Sequence, residues 1–211
     1  MTRVTTGPMS ARRRQRWADG YDPENTRRSL VASALRLFER RGFDRTSVQE
    51  IADHARLTKG AFYHHFESKD DLLRHIHEEY LEAQLAAIHG IEAASDDPRI
   101  RVAELIRFCL TEYRAHTTIF HRERRHATGD VARKLGLVEA ALAGMVQDGV
   151  AKGAFRPDID ARIAMFGLVG MCVGAYQWLH PAGPAGVDEV ARQISAMVLE
   201  GLYASQSSEV P

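Results

Sequence analysis

Apolar positions in this chain recur at intervals of three and four residues, the spacing that gathers side chains on one face of a helix. Leu30, Val31, Ala34, Leu35, Leu37 and Phe38 keep that interval, after Pro23 and Asn25 and until Gly42 ends the run. Val48, Ile51, Ala52 and Ala55 give a second, short segment one apolar face. Thr46 or Ser47 is its natural cap, and Glu50 stands three residues after Ser47 as a capping box requires. Arg56 and Leu57 form a break, and Thr58 opens a third segment. There the period puts Phe62 and Phe66 on one side and Lys59, Gly60, Tyr63 and His64 on the other. Ser68 caps a fourth helix, with Asp70 and Asp71 in its first turn, where the dipole favours acids. Its apolar series, Leu72, Leu73, Ile76, Tyr80, Ala83 and Ala87, carries it toward Ala94.

Further on, Asp97 and Pro98 start a helix expected to reach His116. Residues 117–129 read as a looser, polar segment with at most a short helix, ending near Gly129. Helices are predicted over residues 130–151, over 161–179 with Asp160 as cap, and over 188–203. No alternating strand pattern of useful length occurs, and no internal repeat. The fold class is therefore all-α, with about nine helices.

Composition narrows the picture. Apolar residues make up 45% and charged residues 27% of 211, an ordinary balance for a globular chain. No apolar run reaches the roughly 18 residues that span a bilayer. The first residues carry charge with no apolar segment behind it, so no secretory signal is read, and a cytoplasmic protein is expected. Cys109 and Cys172 lie far apart without a CxxC and inside apolar periodic segments; buried free thiols are expected. Net charge is zero overall, yet residues 1–70 hold 14 Lys/Arg against 9 Asp/Glu, +5, and the remainder 14 against 19, −5. A basic first third points to a polyanion. Within it Arg12, Arg13, Arg14 and Arg16 belong to a non-periodic stretch, residues 1–22, read as a disordered basic arm that reaches DNA or merely adds charge.

The chemistry concentrates in residues 46–69. Two short helices with a three-residue break between them, the second polar on its outer side, describe a helix-turn-helix. A helix that enters a major groove needs a slim N-terminal half, supplied by Gly60 and Ala61, outward cations and hydroxyls, supplied by Lys59, Tyr63 and His64, and an apolar back, supplied by Phe62 and Phe66. Thr46, Ser47 and Thr58 sit at helix starts, where hydroxyls and free N–H groups can meet phosphates.

The stretch TSVQEIADHARLTKGAFYHHFESKDDLL, residues 46–73, resembles the DNA-binding signature of the TetR family of transcriptional regulators. The resemblance extends over residues 25–80. It implies three helices for DNA, a linking fourth helix and an all-helical ligand-binding and dimerisation domain, divided here as residues 23–70 and 71–211. It implies that Lys59, Gly60, Tyr63, His64 and His65 face the groove or its walls and that Lys69 holds a phosphate; for His65 the resemblance is the main ground. The family usually has Gly where this chain has Arg56, so a turn of positive φ there would be strained.

The last two helices of each subunit build the family's dimer interface. Here the penultimate one is rich in small residues, Ala164, Gly167, Gly170, Gly174 and Ala175, which suits close approach in a homodimer on two half-sites. An effector pocket is expected between the fourth and eighth helices, with Phe108, Cys109, Tyr113, Phe120, Met145, Met171 and Trp178 as lining candidates. Residues 178–184, WLHPAGP, beginning at Trp178, resemble a bend in members that respond to acyl-CoA thioesters. The penultimate helix holds no cation between Arg162 and His180 for a CoA phosphate, so a smaller apolar effector stands as the rival. His116, His121 and His126 are five residues apart, which does not place them on one helical face, and no metal or cofactor is expected. A phosphate loop after a strand, an HExxH and a nucleophile elbow are all absent from the sequence, which speaks against an enzyme.

Overall fold

The computed structural model describes residues 22–111, 114–176, 178–179 and 186–202. The basic arm, Tyr113 and most of residues 178–184 lie outside them. The described residues form nine α-helices and no strand: α1 Pro23–Arg41, α2 Val48–His54, α3 Lys59–His65, α4 Lys69–Ala94, α5 Pro98–Thr111, α6 Arg114–Arg122, α7 Gly129–Ala151, α8 Ala161–Ala175 and α9 Val187–Leu202. None is long and apolar enough to cross a membrane.

Local chemistry sets the first four starts. Pro23 is the first residue of α1, not a residue ahead of it. The Asp22 carboxylate accepts from the N–H groups of Glu24 and Asn25 at 3.0 and 3.1 Å, and a proline there has no N–H to lose. Ser47, rather than Thr46, caps α2, and both halves of the capping box with Glu50 are made. Thr58 and Ser68 cap α3 and α4.

Farther along, helix boundaries depart from the expected ones. The segment expected to run to His116 is helical to Thr111 and again from Arg114, and the helix continues past His116 to Arg122, followed by a 3-10 turn, Arg124–His126. The polarity that suggested a loop belongs to side chains with specific partners. Arg122 donates to the carbonyls of Phe38 and Glu39, and Arg125 meets Asp44 at 2.8 Å. Likewise α8 ends at Ala175 instead of Leu179.

Two cores result. The first holds Leu30, Phe38, Ile51, Phe62, Phe66, Leu72 and Ile76, and gains Ile119 from α6. The second takes over at Tyr80 and is built from α4, α5, α7, α8 and α9 around Leu105, Ile106, Met145 and Leu168, with Phe120 of α6. The first core thus extends beyond residue 70, the expected boundary, because one face of α4 continues it for two more turns. α4 runs along α7, and α5 packs on both α8 and α9. In the last turn of α7, Gly149 leaves room for the buried ring of Phe155, whose nearest atom would lie 2.1 Å from any added Cβ.

Candidate nucleic-acid interface and effector cleft

Phe62, fully buried, anchors α3 from behind, and Phe66 packs beside it with ring centroids 5.8 Å apart. Burying one such ring stabilises by about 1.5–3 kcal/mol. The opposite face is open. Thr58, Lys59, Gly60 and His64 are exposed, and Tyr63 keeps 51% of its surface in solvent. The Lys59 ammonium lies 6.0 Å from the Tyr63 ring centre. A Cβ on Gly60 would meet only the Thr58 hydroxyl, at 3.7 Å. Nothing inside the chain demands glycine there, which fits a surface that something outside must approach.

The turn ahead of α3 is held by Arg56 at φ 58°, the one non-glycine residue of positive φ among the described residues. That conformation costs a non-glycine residue about 1–2 kcal/mol. Its reward is the sharp reversal that hands the N–H of Leu57 to the carbonyl of Ala52 at 2.8 Å.

Three expected contact residues are placed otherwise. Thr46 is buried, and its hydroxyl donates to the Gly42 carbonyl at 2.8 Å, so it is spent inside the head. Lys69 donates to the carbonyls of Phe43 and Thr46 at 2.8 and 2.9 Å, with its ammonium 4.2 Å from the Phe43 ring centre. Two of its three N–H groups thereby pin the start of α4 to the α1–α2 loop. His65 is half-buried, and burial first, then His64 and Arg27, hold its imidazole below the usual value, so it supplies no charge at neutral pH. Ser47 is exposed, with its hydroxyl engaged in the capping box. Arg27 is a contributor the periodicity did not suggest: its guanidinium lies 5.6 Å from the Phe66 ring centre and bonds His75 at 3.0 Å.

The second domain holds a narrow cleft of about 70 Å³, open at its mouth, between α4, α5, α6, α7 and α8. Phe108, Cys109 and Phe120 line it as expected. Met145 does not; it is buried in the surrounding core. Met171 and Trp178 do not either, because both face solvent. The cleft is apolar along Ile88, Leu105, Leu142, Met165 and Val169. One end is polar, and periodicity gave no sign of it. The Tyr80 hydroxyl bonds that of Thr117 at 3.0 Å and accepts from Gln84 at 2.5 Å. Burial keeps that phenol far above its ordinary pKa, so it stays a neutral hydrogen-bonding group. Beside it His121 is held below its usual value by burial and then by Arg124, and Arg124 itself pairs with Glu139 at 2.5 Å. The other histidines scatter: His116 stacks on Tyr80, and His126 leans on Phe43.

A helix-turn-helix on one body and a helical domain with an apolar cleft on the other, joined through α4 and α6, define a DNA-binding regulator by architecture. Sequence comparison bears this out. Residues 30–76 match the family of bacterial regulatory proteins of the tetR type, and residues 95–202 match the tetracyclin repressor-like C-terminal domain. A curated relative, the HTH-type transcriptional repressor KstR2 of Rhodococcus jostii, is 32% identical over 198 residues, covering 88% of this chain and 95% of that protein. The structure of the ketosteroid transcriptional regulator KstR2 of Mycobacterium tuberculosis superposes with a TM-score of 0.76 at 25% identity, covering 84% of this chain and 95% of that one. AibR in complex with isovaleryl coenzyme A and operator DNA shares the fold at a TM-score of 0.71 and 24% identity, over 84% of this chain and 98% of that one. The chain belongs to the tetR family and is a DNA-binding transcriptional regulator. Its family is one of regulators rather than enzymes.

Proposed function

We propose that this protein is a repressor that binds operator DNA as a homodimer in the cytoplasm and leaves it when a small effector fills the cleft. One observation carries the coupling. Ile119 and Phe120, neighbours on α6, serve different cores: Ile119 is buried in the reading head, and Phe120 lines the cleft. A ligand that displaces Phe120 must move Ile119, the Arg122 bonds to the end of α1, and the start of α4. Thr58, Lys59, Gly60, Tyr63 and His64 are the residues offered to the duplex.

The homodimer reading rests on the outer face of α8. Ile163, Phe166 and Met171 are exposed there, and a Cβ on Gly167, Gly170 or Gly174 would meet open space. On α9, Met197 is also an exposed apolar side chain, at 67%. Glycines without an internal reason, beside exposed apolar groups, fit a second helix pair packed closely on them.

The effector read from the cleft is apolar with one hydrogen-bonding end. Among the described residues the one Arg or Lys in the lining, Arg124, is already matched by Glu139, which favours a small neutral molecule over the phosphates of an acyl-CoA thioester. The test is a mobility shift on the promoter-proximal DNA of its own operon across a salt series. Specific affinity should fall steeply with salt, as phosphate contacts require. Tyr63→Ala should weaken it with dimer and melting temperature nearly unchanged. Undiminished affinity in Tyr63→Ala would sink the assignment of this face.

A further inference from the structure

The two cysteines, read from sequence as separate thiols, meet in the structure. Cys109 of α5 and Cys172 of α8 both line the cleft, and their thiols are hydrogen-bonding neighbours. Both are free. Beside them the Tyr176 hydroxyl donates to the Cys109 carbonyl, fastening the same two helices one turn farther on.

We propose that Cys109 and Cys172 form an oxidisable dithiol whose disulfide locks α5 to α8 and closes the cleft to its effector. This rests on the reading of the cleft as the effector site. Cys109 is half-buried on the cleft wall, where a small oxidant can reach it. The oxidant class is a peroxide. The Cys109 sulfur attacks one oxygen of hydrogen peroxide, the O–O bond breaks, and water leaves, giving a sulfenic acid. The Cys172 sulfur then attacks the sulfenic sulfur; the S–O bond breaks, a second water leaves with the Cys172 proton, and the disulfide forms. Its partner's proximity and burial hold the Cys109 thiol above its usual pKa. Little thiolate is therefore present at neutral pH, so the pair responds to sustained peroxide and ignores traces. With the bond made, the wall bearing Phe108 and the wall bearing Val169 and Val173 can no longer part to admit a ligand.

The experiment treats the full-length protein with hydrogen peroxide and reads intact mass, tryptic peptides and binding of anilinonaphthalenesulfonate as an apolar probe. The expected result is a loss of two hydrogens, a Cys109–Cys172 linked peptide, and about a tenfold or greater loss of probe affinity. Dithiothreitol should reverse all three, and in Cys109→Ser and in Cys172→Ser peroxide should leave probe affinity where it stood in the same untreated variant. Sulfinic or interchain products without the internal bridge would overturn the proposal, and so would a bridged protein that binds the probe as before. Val169→Trp, in reduced protein, tests the cleft separately: if plugging it leaves probe binding intact, the effector-site reading fails, while the mass readout still decides whether the bridge forms.

Discussion

The reading head and the cleft domain are specified in different ways. In the head, short-range devices set each helix start: Asp22, Ser47, Thr58 and Ser68 cap within three residues of themselves, and Arg56 reverses the chain between two helices. In the cleft domain the start of α7 has no such device, since Thr128 makes no side-chain cap. The walls there come from five helices, and the polar end joins Tyr80 and Gln84 of α4 to Thr117 of α6 and Glu139 of α7. A surface that must fit an invariant duplex can be built rigidly from local rules. A site that must accept a ligand and move is built from long-range packing, whose parts shift against one another.

That contrast can be broken or sharpened by substitution. The largest effect is expected from Phe62→Ala, which empties the centre of the first core and should cost about 3–5 kcal/mol in chemical denaturation. A loss under about 1 kcal/mol would mean that local caps, not packing, hold the head.

Next comes the junction between the two cores. His77 is buried against Phe120, ring centroids 5.0 Å apart, and neither ring nitrogen has a hydrogen-bond partner. Burial, and secondly His126, lower its pKa from 6.5 to about 4. The unfolded chain takes up a proton below pH 6.5 while the folded one refuses it until about pH 4. Stability therefore falls as pH drops through that window and levels off below it. By about pH 5 the loss from this group should be about 2 kcal/mol. His77→Leu should remove that part of the acid slope in urea titrations at about pH 7 and about pH 5. An unchanged slope would place the acid sensitivity elsewhere.

The smallest effect is expected at Arg56. Arg56→Gly relieves the positive φ and should stabilise by about 1 kcal/mol, a rise of about 2–4 °C in melting temperature for a chain of this size. No rise would show that the turn carries little strain. It would also remove the sharpest case of a local rule being set aside in the head.

Much of the head was legible in sequence. Periodicity assigned Phe62 and Phe66 inward and Lys59, Tyr63 and His64 outward, and the structure agrees. The inward bonds of Thr46 and Lys69 were not legible for one reason: a hydroxyl or ammonium near a helix start can serve the chain's own carbonyls as readily as a phosphate. Phe43 and Thr46 present theirs to Lys69 only after α1 and α4 meet. The cleft was less legible. Phe108 and Phe120 stood out as large apolar residues, but so did Met145, which is core, and Met171, which faces out. Apolarity says that a residue avoids water, not which of several apolar places it occupies. Arg122, Arg124 and Arg125 looked like a solvated loop because their partners lie on α1, on the loop after it and on α7.

Sequence by itself determined the helices, their caps and the polar face of α3, because those follow from side-chain periodicity and hydrogen bonds that span three or four residues. Tertiary structure decided which apolar groups line a cavity, set Ile119 and Phe120 in separate cores, and brought Cys109 against Cys172. Those outcomes depend on how whole helices lie across one another, and no interval along the chain encodes that.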